Sequence, residues 1–264
     1  SESDLAKTLC GRIAFCFFSG HFPPSTLHVP TLWGGNLIAL SKAPKPGVRP
    51  ILIGQAWRRL VARAVTPDLR APCEEYFTGA HPRVFQFAAG VKDGASHAVN
   101  LTRTFLDAIS NDPLNPMAAA VSDITNGFNE IARQPILDSI AGIASIAYDG
   151  NRILPGQALP YPCTPLAGIA PFVAGAYLHP AIARYSAPND VHFIHVTAGV
   201  QQGDVFGSTL FCAGLHPLLC RLIDRHPEVY CIAYADNVTF IGQLSRAWAA
   251  LDEFNKLAQE DLKL

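Results

Sequence analysis

Short stretches in which apolar and polar residues alternate predict several β-strands. Residues 35–53 hold two apolar runs joined by a turn that contains Lys and Pro, and residues 190–200 alternate along their length. Residues 117–124 form an apolar run that leads to Asp123. A period of two is typical of a strand with one buried face, whereas an unbroken apolar run is typical of a strand buried on both faces.

A tight hairpin is predicted near the end of the chain. Residues 229–235 and 238–242 are rich in β-branched and aromatic residues, and Asp236 and Asn237 alone separate them. Both residue types tolerate the left-handed backbone that a two-residue hairpin turn requires. Asp236 is therefore expected at the tip of this hairpin.

Helices are predicted where apolar residues recur every three or four positions. These segments are residues 54–66, 95–109, 129–145, 206–223 and 246–264. The mixed order of strands and helices predicts an α+β fold with an antiparallel sheet.

The composition excludes a disordered chain, because 49% of the 264 residues are apolar and only 16% are charged. The seven Cys form no C-x-x-C pair, which favours buried thiols in a reducing, intracellular compartment over a zinc site or a disulfide framework. The uncharged stretch 153–183 is long enough to span a bilayer but contains six prolines. No membrane partner is therefore predicted.

Charge is distributed unevenly along the chain. Residues 1–70 contain nine Lys and Arg against three Asp and Glu, whereas residues 71–264 contain eleven against eighteen. This asymmetry suits a protein that binds phosphate groups at one place and metal ions at another. Chance clustering on solvated faces explains it equally well.

Two carboxylates are candidates for metal binding, Asp123 at a strand end and Asp236 at a hairpin tip. Carboxylates on neighbouring strands can hold the two metal ions of nucleotidyl transfer, which activate the attacking oxygen and stabilise the leaving group. Either Asp alone would more often be a turn or cap residue, so the surrounding motifs decide between the two interpretations.

Four motifs in a fixed order surround these carboxylates. They are GVRPILIGQAWRRLVAR at 47–63, SDITNGFNEIAR at 122–133, GVQQGDVFG at 199–207 and YADN at 234–237. With these motifs the chain resembles reverse transcriptases over residues 30–264, and most of all those of non-LTR retrotransposons and their cellular relatives. The resemblance implies an RNA-directed DNA polymerase that extends a DNA or RNA primer 3′-OH with dNTPs on an RNA template, and a ribonucleoprotein is a further candidate partner.

The resemblance also implies the fingers and palm of a right-hand polymerase, with an antiparallel palm sheet packed on helices. Residues 1–115 correspond to the fingers with an N-terminal extension, and residues 116–130 to the first metal motif of the palm. Residues 131–198 correspond to a fingers/palm connection, and residues 199–264 to the rest of the palm. The thumb is expected to be absent.

The resemblance assigns metal binding and catalysis to Asp123 and Asp236. The backbone carbonyl of Ile124 is a further expected ligand, and Mg²⁺ or Mn²⁺ is the expected cofactor. Phe128 corresponds to the aromatic steric gate that would crowd a ribose 2′-OH, although the same residue could be an ordinary core Phe.

The resemblance assigns nucleotide binding to two segments, a loop and a basic hairpin. Gln202 and Gly203 resemble the motif that packs against the incoming nucleotide and template base, where Gly lets the backbone approach closely. Arg49, Lys42 and Lys45 resemble the fingers residues that neutralise the triphosphate, although any basic hairpin would look similar.

Two further expectations concern neighbouring residues. Asp204 occupies a position where the following helix needs an N-cap. Arg58, Arg59 and Arg63 are spaced along one predicted helix, and we expect them to contact template backbone or solvent.

Asn237 departs from the family pattern, which has a second Asp after Tyr-Ala-Asp. A neutral amide is a poorer ligand for a hard dication than a carboxylate, so we expect reduced activity. Asn237 equally suits a domesticated, catalytically inactive domain that acts as an RNA-binding or scaffold subunit of a ribonucleoprotein. An RNA-directed RNA polymerase is a third alternative, although Ala235 and Phe128 are typical of the enzymes that use dNTPs.

Overall fold

The computed structural model describes residues 2–19, 30–44, 46–109, 116–148, 153–159 and 164–264. Within these ranges the chain forms an α+β fold with two four-stranded sheets. The strands are β1 Gly35–Ser41, β2 Val48–Gly54, β3 Val84–Gln86, β4 Met117–Asp123, β5 Ala181–Ala187, β6 Asp190–Val196, β7 Tyr230–Tyr234 and β8 Asn237–Gln243.

Helices connect and cover these sheets. They are α1 Glu2–Ser19, α2 Pro30–Trp33, α3 Ala56–Gly79, α4 Gly94–Ile109, α5 Gly127–Glu130, α6 Arg133–Ala141, α7 Ala170–Tyr177, α8 Gly207–Arg225 and α9 Leu244–Leu257, with a 3₁₀ turn at Pro165–Ile169 and a π turn at Ala258–Leu262. None of the helices in the described ranges is long and apolar enough to cross a membrane.

The first sheet has the strand order β2-β1-β5-β6 and consists of two antiparallel hairpins. A short parallel pairing joins the hairpins, with Gly35 opposite Ala183 and Asn36 opposite Arg184. Beyond Asn36 the register between β1 and β5 ends. Within the described residues the β1–β2 hairpin therefore continues to its turn without a neighbouring strand on the β5 side.

The second sheet has the order β3-β7-β8-β4, and all of its pairings except β3 with β7 are antiparallel. On one face Ile232 and Ile241 pack against Leu101 and Phe105 of α4. On the other face the strands contact α8 and α9. The predicted antiparallel sheet packed on helices is therefore confirmed, with one parallel strand added at its edge.

Helix α8 lies at the centre of the core. Its buried apolar residues surround the helix instead of forming one stripe, which is the pattern of a helix packed on all sides. Gly214 brings α8 close to α6, because a Cβ at this position would lie 2.8 Å from the side chain of Ile136. This packing holds the N-terminus of α8, and the loop before it, in a fixed place.

The hairpin predicted near the C-terminus is present, but its turn lies one residue earlier than predicted. Tyr234 pairs with Asn237, so the turn consists of Ala235 and Asp236. Ala235 adopts a left-handed φ of 52°. The prediction was wrong because Asn237 also pairs with Asp123 of β4. This strand pairing outweighs the cost of roughly 1–2 kcal/mol for a left-handed Ala.

Helix boundaries also differ from the predictions. Helix α3 does not end at residue 66 but continues to Gly79, because its second half buries Cys73, Tyr76 and Phe77 in the core. The single helix predicted over 129–145 is divided into α5 and α6. Strand β5 was not predicted, since it follows an uncharged stretch without clear periodicity.

Candidate functional site

Asp123 and Asp236 meet at one edge of the second sheet. Asp123 ends β4 and lies opposite Asn237, the first residue of β8. The N–H of Ile124 donates to the carbonyl of Asp236 at 2.9 Å, which fastens the strand end to the hairpin turn. The local pairing therefore places the two carboxylates next to each other, as the sequence predicted.

The two carboxylates interact electrostatically. Partial burial raises the pKa of Asp236, and the negative charge of Asp123 raises it further. Arg49 acts in the opposite direction and lowers the pKa of Asp236. The hairpin of the first sheet thus brings a guanidinium within electrostatic range of the carboxylates of the second sheet.

These groups fit a hard divalent cation. Two carboxylates with mutual repulsion gain from an intervening positive charge, and oxygen ligands suit Mg²⁺ or Mn²⁺. The carbonyl of Ile124 accepts a 3.3 Å hydrogen bond from Gly127, and its second lone pair leaves it able to act as a ligand. Among the described residues no group of three or more His, Cys, Asp or Glu side chains could hold a metal, so substrate or water oxygens would have to complete the ligand set.

Asn237 is exposed at the start of β8. Its amide nitrogen lies 3.4 Å from Oδ1 of Asp236, a long hydrogen bond. A carboxylate at this position would be the third negative charge at this edge of the sheet. The amide removes that charge and presents a donor to the neighbouring Asp.

Phe128 lies five residues after Asp123, in the short helix α5. Its ring stacks on that of Phe211 with centroids 4.7 Å apart and an interplanar angle of 12°. The side chain is half-buried, so one part of the ring belongs to the core while another part faces outward. Both interpretations made from the sequence are compatible with this position.

The loop before α8 packs against the first sheet. At Gly203 a Cβ would lie 2.3 Å from the carbonyl oxygen of Leu52, so only glycine permits this approach to β2. A cleft of about 290 Å³ lies beside the loop. Its lining combines apolar residues of the first sheet and of the loop with polar residues that include Asn129, His195, Gln201 and Gln202. Gln202 is half-buried, whereas Gln201 is only 3% exposed.

The basic residues predicted to bind phosphate lie on the β1–β2 hairpin. Lys42 and Arg49 are exposed at its outer end, where the N–H of Lys42 donates to the carbonyl of Gly47 at 3.0 Å. Lys45 lies outside the described residues. The structure thus brings Arg49 towards Asp236 and places Lys42 at the same end of the hairpin.

One expectation about the arginines was wrong. Arg58 is only 2% exposed and does not face solvent. Its guanidinium forms an ion pair with the carboxylate of Asp204 and donates to the side chain of Gln201 and the carbonyl of Trp33, both at 2.7 Å. Helical spacing located all three arginines on one helix, but it did not reveal that Arg58 has a buried partner.

Asp204 has a different role from the predicted N-cap. Helix α8 begins at Gly207, and the carboxylate of Asp204 accepts from the N–H of Phe206 at 3.0 Å in the turn before it. The hydroxyl of Tyr177 donates to the same carboxylate. Sequence reasoning gave no role to Tyr177 or Arg133, which both belong to this group of contacts. Tyr177 lies in no motif, and Arg133 ends the motif at 122–133 without any local sign of its distant partners.

Comparison with protein-family models and with curated proteins finds no match. Comparison with solved structures finds telomerase from Candida albicans in complex with a TWJ fragment of telomeric RNA, with a TM-score of 0.57, 10% identity, and coverage of 91% of this chain and 42% of that one. Apo telomerase from Candida tropicalis matches with a TM-score of 0.56 and 12% identity, over 89% of this chain and 44% of that one. A structure described as an RdRp complex matches with a TM-score of 0.54 and 12% identity, over 95% of this chain and 22% of that one.

The chain has a polymerase-like fold. This similarity covers nearly all of the chain, which spans less than half of the length of each of these three structures. The carboxylate edge, named here for Asp123 and Asp236, the β1–β2 hairpin and the loop before α8 belong to the two sheets and the central helix of this fold. The residues that the motifs singled out therefore lie on elements of a polymerase-like fold.

Proposed function

We propose that this chain is the fingers-and-palm core of an RNA-directed DNA polymerase, related to the non-LTR type by its motifs. It extends a DNA or RNA primer 3′-OH with dNTPs on an RNA template. The observation that carries the proposal is the convergence of Asp123, Asp236 and Arg49 in a polymerase-like fold. The first sheet then corresponds to the fingers and the second sheet to the palm.

In this proposal each residue has a separate task. Asp123 and Asp236 hold Mg²⁺ or Mn²⁺, which when bound lowers the barrier to attack by the primer 3′-oxygen. Arg49, with Lys42 and Lys45, neutralises the triphosphate. Phe128 limits space beside the sugar, and Gln202 with Gly203 supports the nucleotide and template base. Asn237 weakens metal binding and lowers the rate.

The test is extension of a labelled DNA primer on RNA by one nucleotide, with Mg²⁺ and with Mn²⁺. The unaltered chain, Asn237→Asp, Asp123→Ala and the control Asp252→Ala on an exposed turn of α9 are compared. We expect Asn237→Asp to be the most active variant. Asp123→Ala should lose about 10³-fold, because a metal ligand contributes several kcal/mol to transition-state stabilisation.

Asp252→Ala should retain the rate of the unaltered chain, since its side chain is exposed and has no assigned role in binding metal or nucleotide. Extension that survives Asp123→Ala would contradict the assignment of the metal site. Faster incorporation of rNTPs than dNTPs would favour the RNA polymerase alternative, and Phe128→Ala would then leave the ratio unchanged.

A second candidate function is an RNA-binding or scaffold subunit without catalysis. The observation that favours it is Asn237, which pairs with Asp123 where a carboxylate is otherwise expected. The distinguishing result is stable RNA binding by the unaltered chain together with no extension by Asn237→Asp, in this chain and in a longer parent protein.

A further inference from the structure

A buried polar group of side chains, here named the anchoring cluster, surrounds the loop of residues 198–204 before α8. It consists of Arg58, Arg133, Tyr177, Gln201 and Asp204. Gln201, Arg58 and Tyr177 are 3% exposed or less. Burial of so many polar groups costs free energy unless each one is bonded, and in this cluster each makes at least one hydrogen bond.

The two arginines bond opposite ends of the loop. Arg133 donates to the carbonyl of Gly199 at 3.0 Å and to that of Ala198 at 3.3 Å. Arg58 bonds Gln201 and Asp204 at the other end. Both guanidinium groups lie over the ring of Tyr177, at 5.3 and 5.4 Å from its centroid. The loop is thus fixed at its beginning and at its end.

The cluster leaves Gln202 and Gly203 between these fixed points. Gln202 lines the cleft beside β2, and Gly203 touches the backbone of Leu52. A buried ion pair contributes little net stability compared with apolar packing, so its value here lies in geometry. The bonds of Arg58 also reach Trp33, which ties the loop to the segment before the first sheet.

We propose that Arg58 and Arg133 are positioning residues that hold Gln202 and Gly203 where an incoming nucleotide is bound. This inference rests on the proposed polymerase function. The planar guanidinium of Arg58 donates hydrogen bonds to Trp33, Gln201 and Asp204 from two nitrogen atoms at once. A Lys ammonium has a single nitrogen and cannot reproduce this set of bonds. Because the loop contacts the nucleotide before and during reaction alike, its displacement weakens nucleotide binding more than it slows chemistry.

The main variant is Arg58→Lys in the Asn237→Asp chain, and its control is Arg221→Lys. The side chain of Arg221 is 10% exposed and pairs with Asp261 at 2.6 Å, but it lies outside the cluster. We expect Arg58→Lys to raise KM for dNTP by about 10-fold and to change kcat by less than about 3-fold. Arg221→Lys should leave both constants nearly unchanged.

A second measurement does not depend on activity. Hydrogen exchange of the backbone amides of residues 199–206 in the otherwise unaltered chain should become faster in Arg58→Lys and not in Arg221→Lys. Tyr177→Phe, which removes one hydroxyl and keeps the ring, provides a milder variant if Arg58→Lys does not fold. We expect the same direction of change with a smaller size.

The outcomes separate the two proposals. If the Asn237→Asp substitution extends no primer either in this chain or in a longer parent protein, the polymerase function fails, while exchange of the loop amides still decides whether the cluster fixes the loop. Equal effects of Arg58→Lys and Arg221→Lys on KM would overturn the positioning role. Unchanged exchange of residues 199–206 in both Arg58→Lys and Tyr177→Phe would overturn it independently.

Discussion

The carboxylate edge and the anchoring cluster differ in how far their charges are balanced by neighbouring groups of the protein. At the edge, Asp123 and Asp236 lie side by side with a distant guanidinium as their counter-charge. In the cluster, burial lowers the pKa of Arg58, but Asp204 and Tyr177 outweigh this effect and raise it. The carboxylates proposed to bind a metal lack a neighbouring counter-charge within the protein, whereas the charges of the anchoring cluster are balanced by their own neighbours.

The largest effect expected from this comparison is on stability. Asp204→Ala removes the partner of a buried guanidinium, so we expect the free energy of unfolding to fall by about 3–5 kcal/mol. Glu228→Ala is the control, because Glu228 pairs with Arg246 at the surface, where both side chains are 62% exposed. It should cost less than about 1 kcal/mol in urea unfolding. Similar losses in both variants would mean that the cluster is not specially compensated.

A buried histidine extends the comparison to a titratable group in the core. Burial, and secondarily the charge of His81, lowers the pKa of His216 to about 3. The Nε2 amide of Gln86 donates to Nδ1 of His216 at 2.8 Å, and the imidazole ring packs on Tyr76 and Phe77. Its neutral form is therefore the one compatible with the core.

Because its pKa is lower in the folded state than in the unfolded state, His216 stabilises the protein fully above pH 6.5 and progressively less down to about pH 3. Midway through this window we expect a loss of about 2 kcal/mol. Urea unfolding at several pH values measures it. His216→Gln should flatten this part of the profile, and His195→Gln, at an exposed position, should not. A profile unaffected by His216→Gln would contradict the prediction.

The smallest effect concerns the carboxylate edge itself. Asn237→Asp adds a third carboxylate there, so without metal the unfolding free energy should fall by about 0.5–1 kcal/mol. Added Mn²⁺ should restore stability, and by more than it stabilises the unaltered chain, since binding to the folded state raises stability by mass action. Thermal unfolding with EDTA and with Mn²⁺ tests this. Equal shifts in both chains would show that Asn237 lies outside the metal's ligand set.

Local patterns predicted the elements that local forces determine. Asp123 at the end of an apolar strand and Asp236 at the hairpin turn could be found because each is marked by its immediate neighbours. The turn was misplaced by one residue because Asn237 pairs with a strand more than a hundred positions earlier in the chain. Spacing along the sequence contains no information about such a pairing.

The anchoring cluster could not be predicted for a related reason. Arg58 and Asp204 are 146 positions apart, and only the packing of α3 against the loop brings them together. Arg58 has the same helical neighbourhood as Arg59 and Arg63, and nothing in the pattern separates a buried arginine from exposed ones. The apolar residues around position 58 indicated a helix, but not which side of it would face a carboxylate.

The brief pairing of β1 with β5 has a mechanical consequence. Past Asn36 the β1–β2 hairpin is a two-stranded ribbon held at its base, by two residue pairs with β5 and by the contact of Gly203 with Leu52. A two-stranded ribbon has little stability of its own, so we expect it to bend more easily than the four-stranded part, with a displacement that grows with distance from the fixed end. Arg49 near the free end therefore travels farther than any core residue when the ribbon bends, so the gap to Asp236 can narrow while the helices around α8 stay in place.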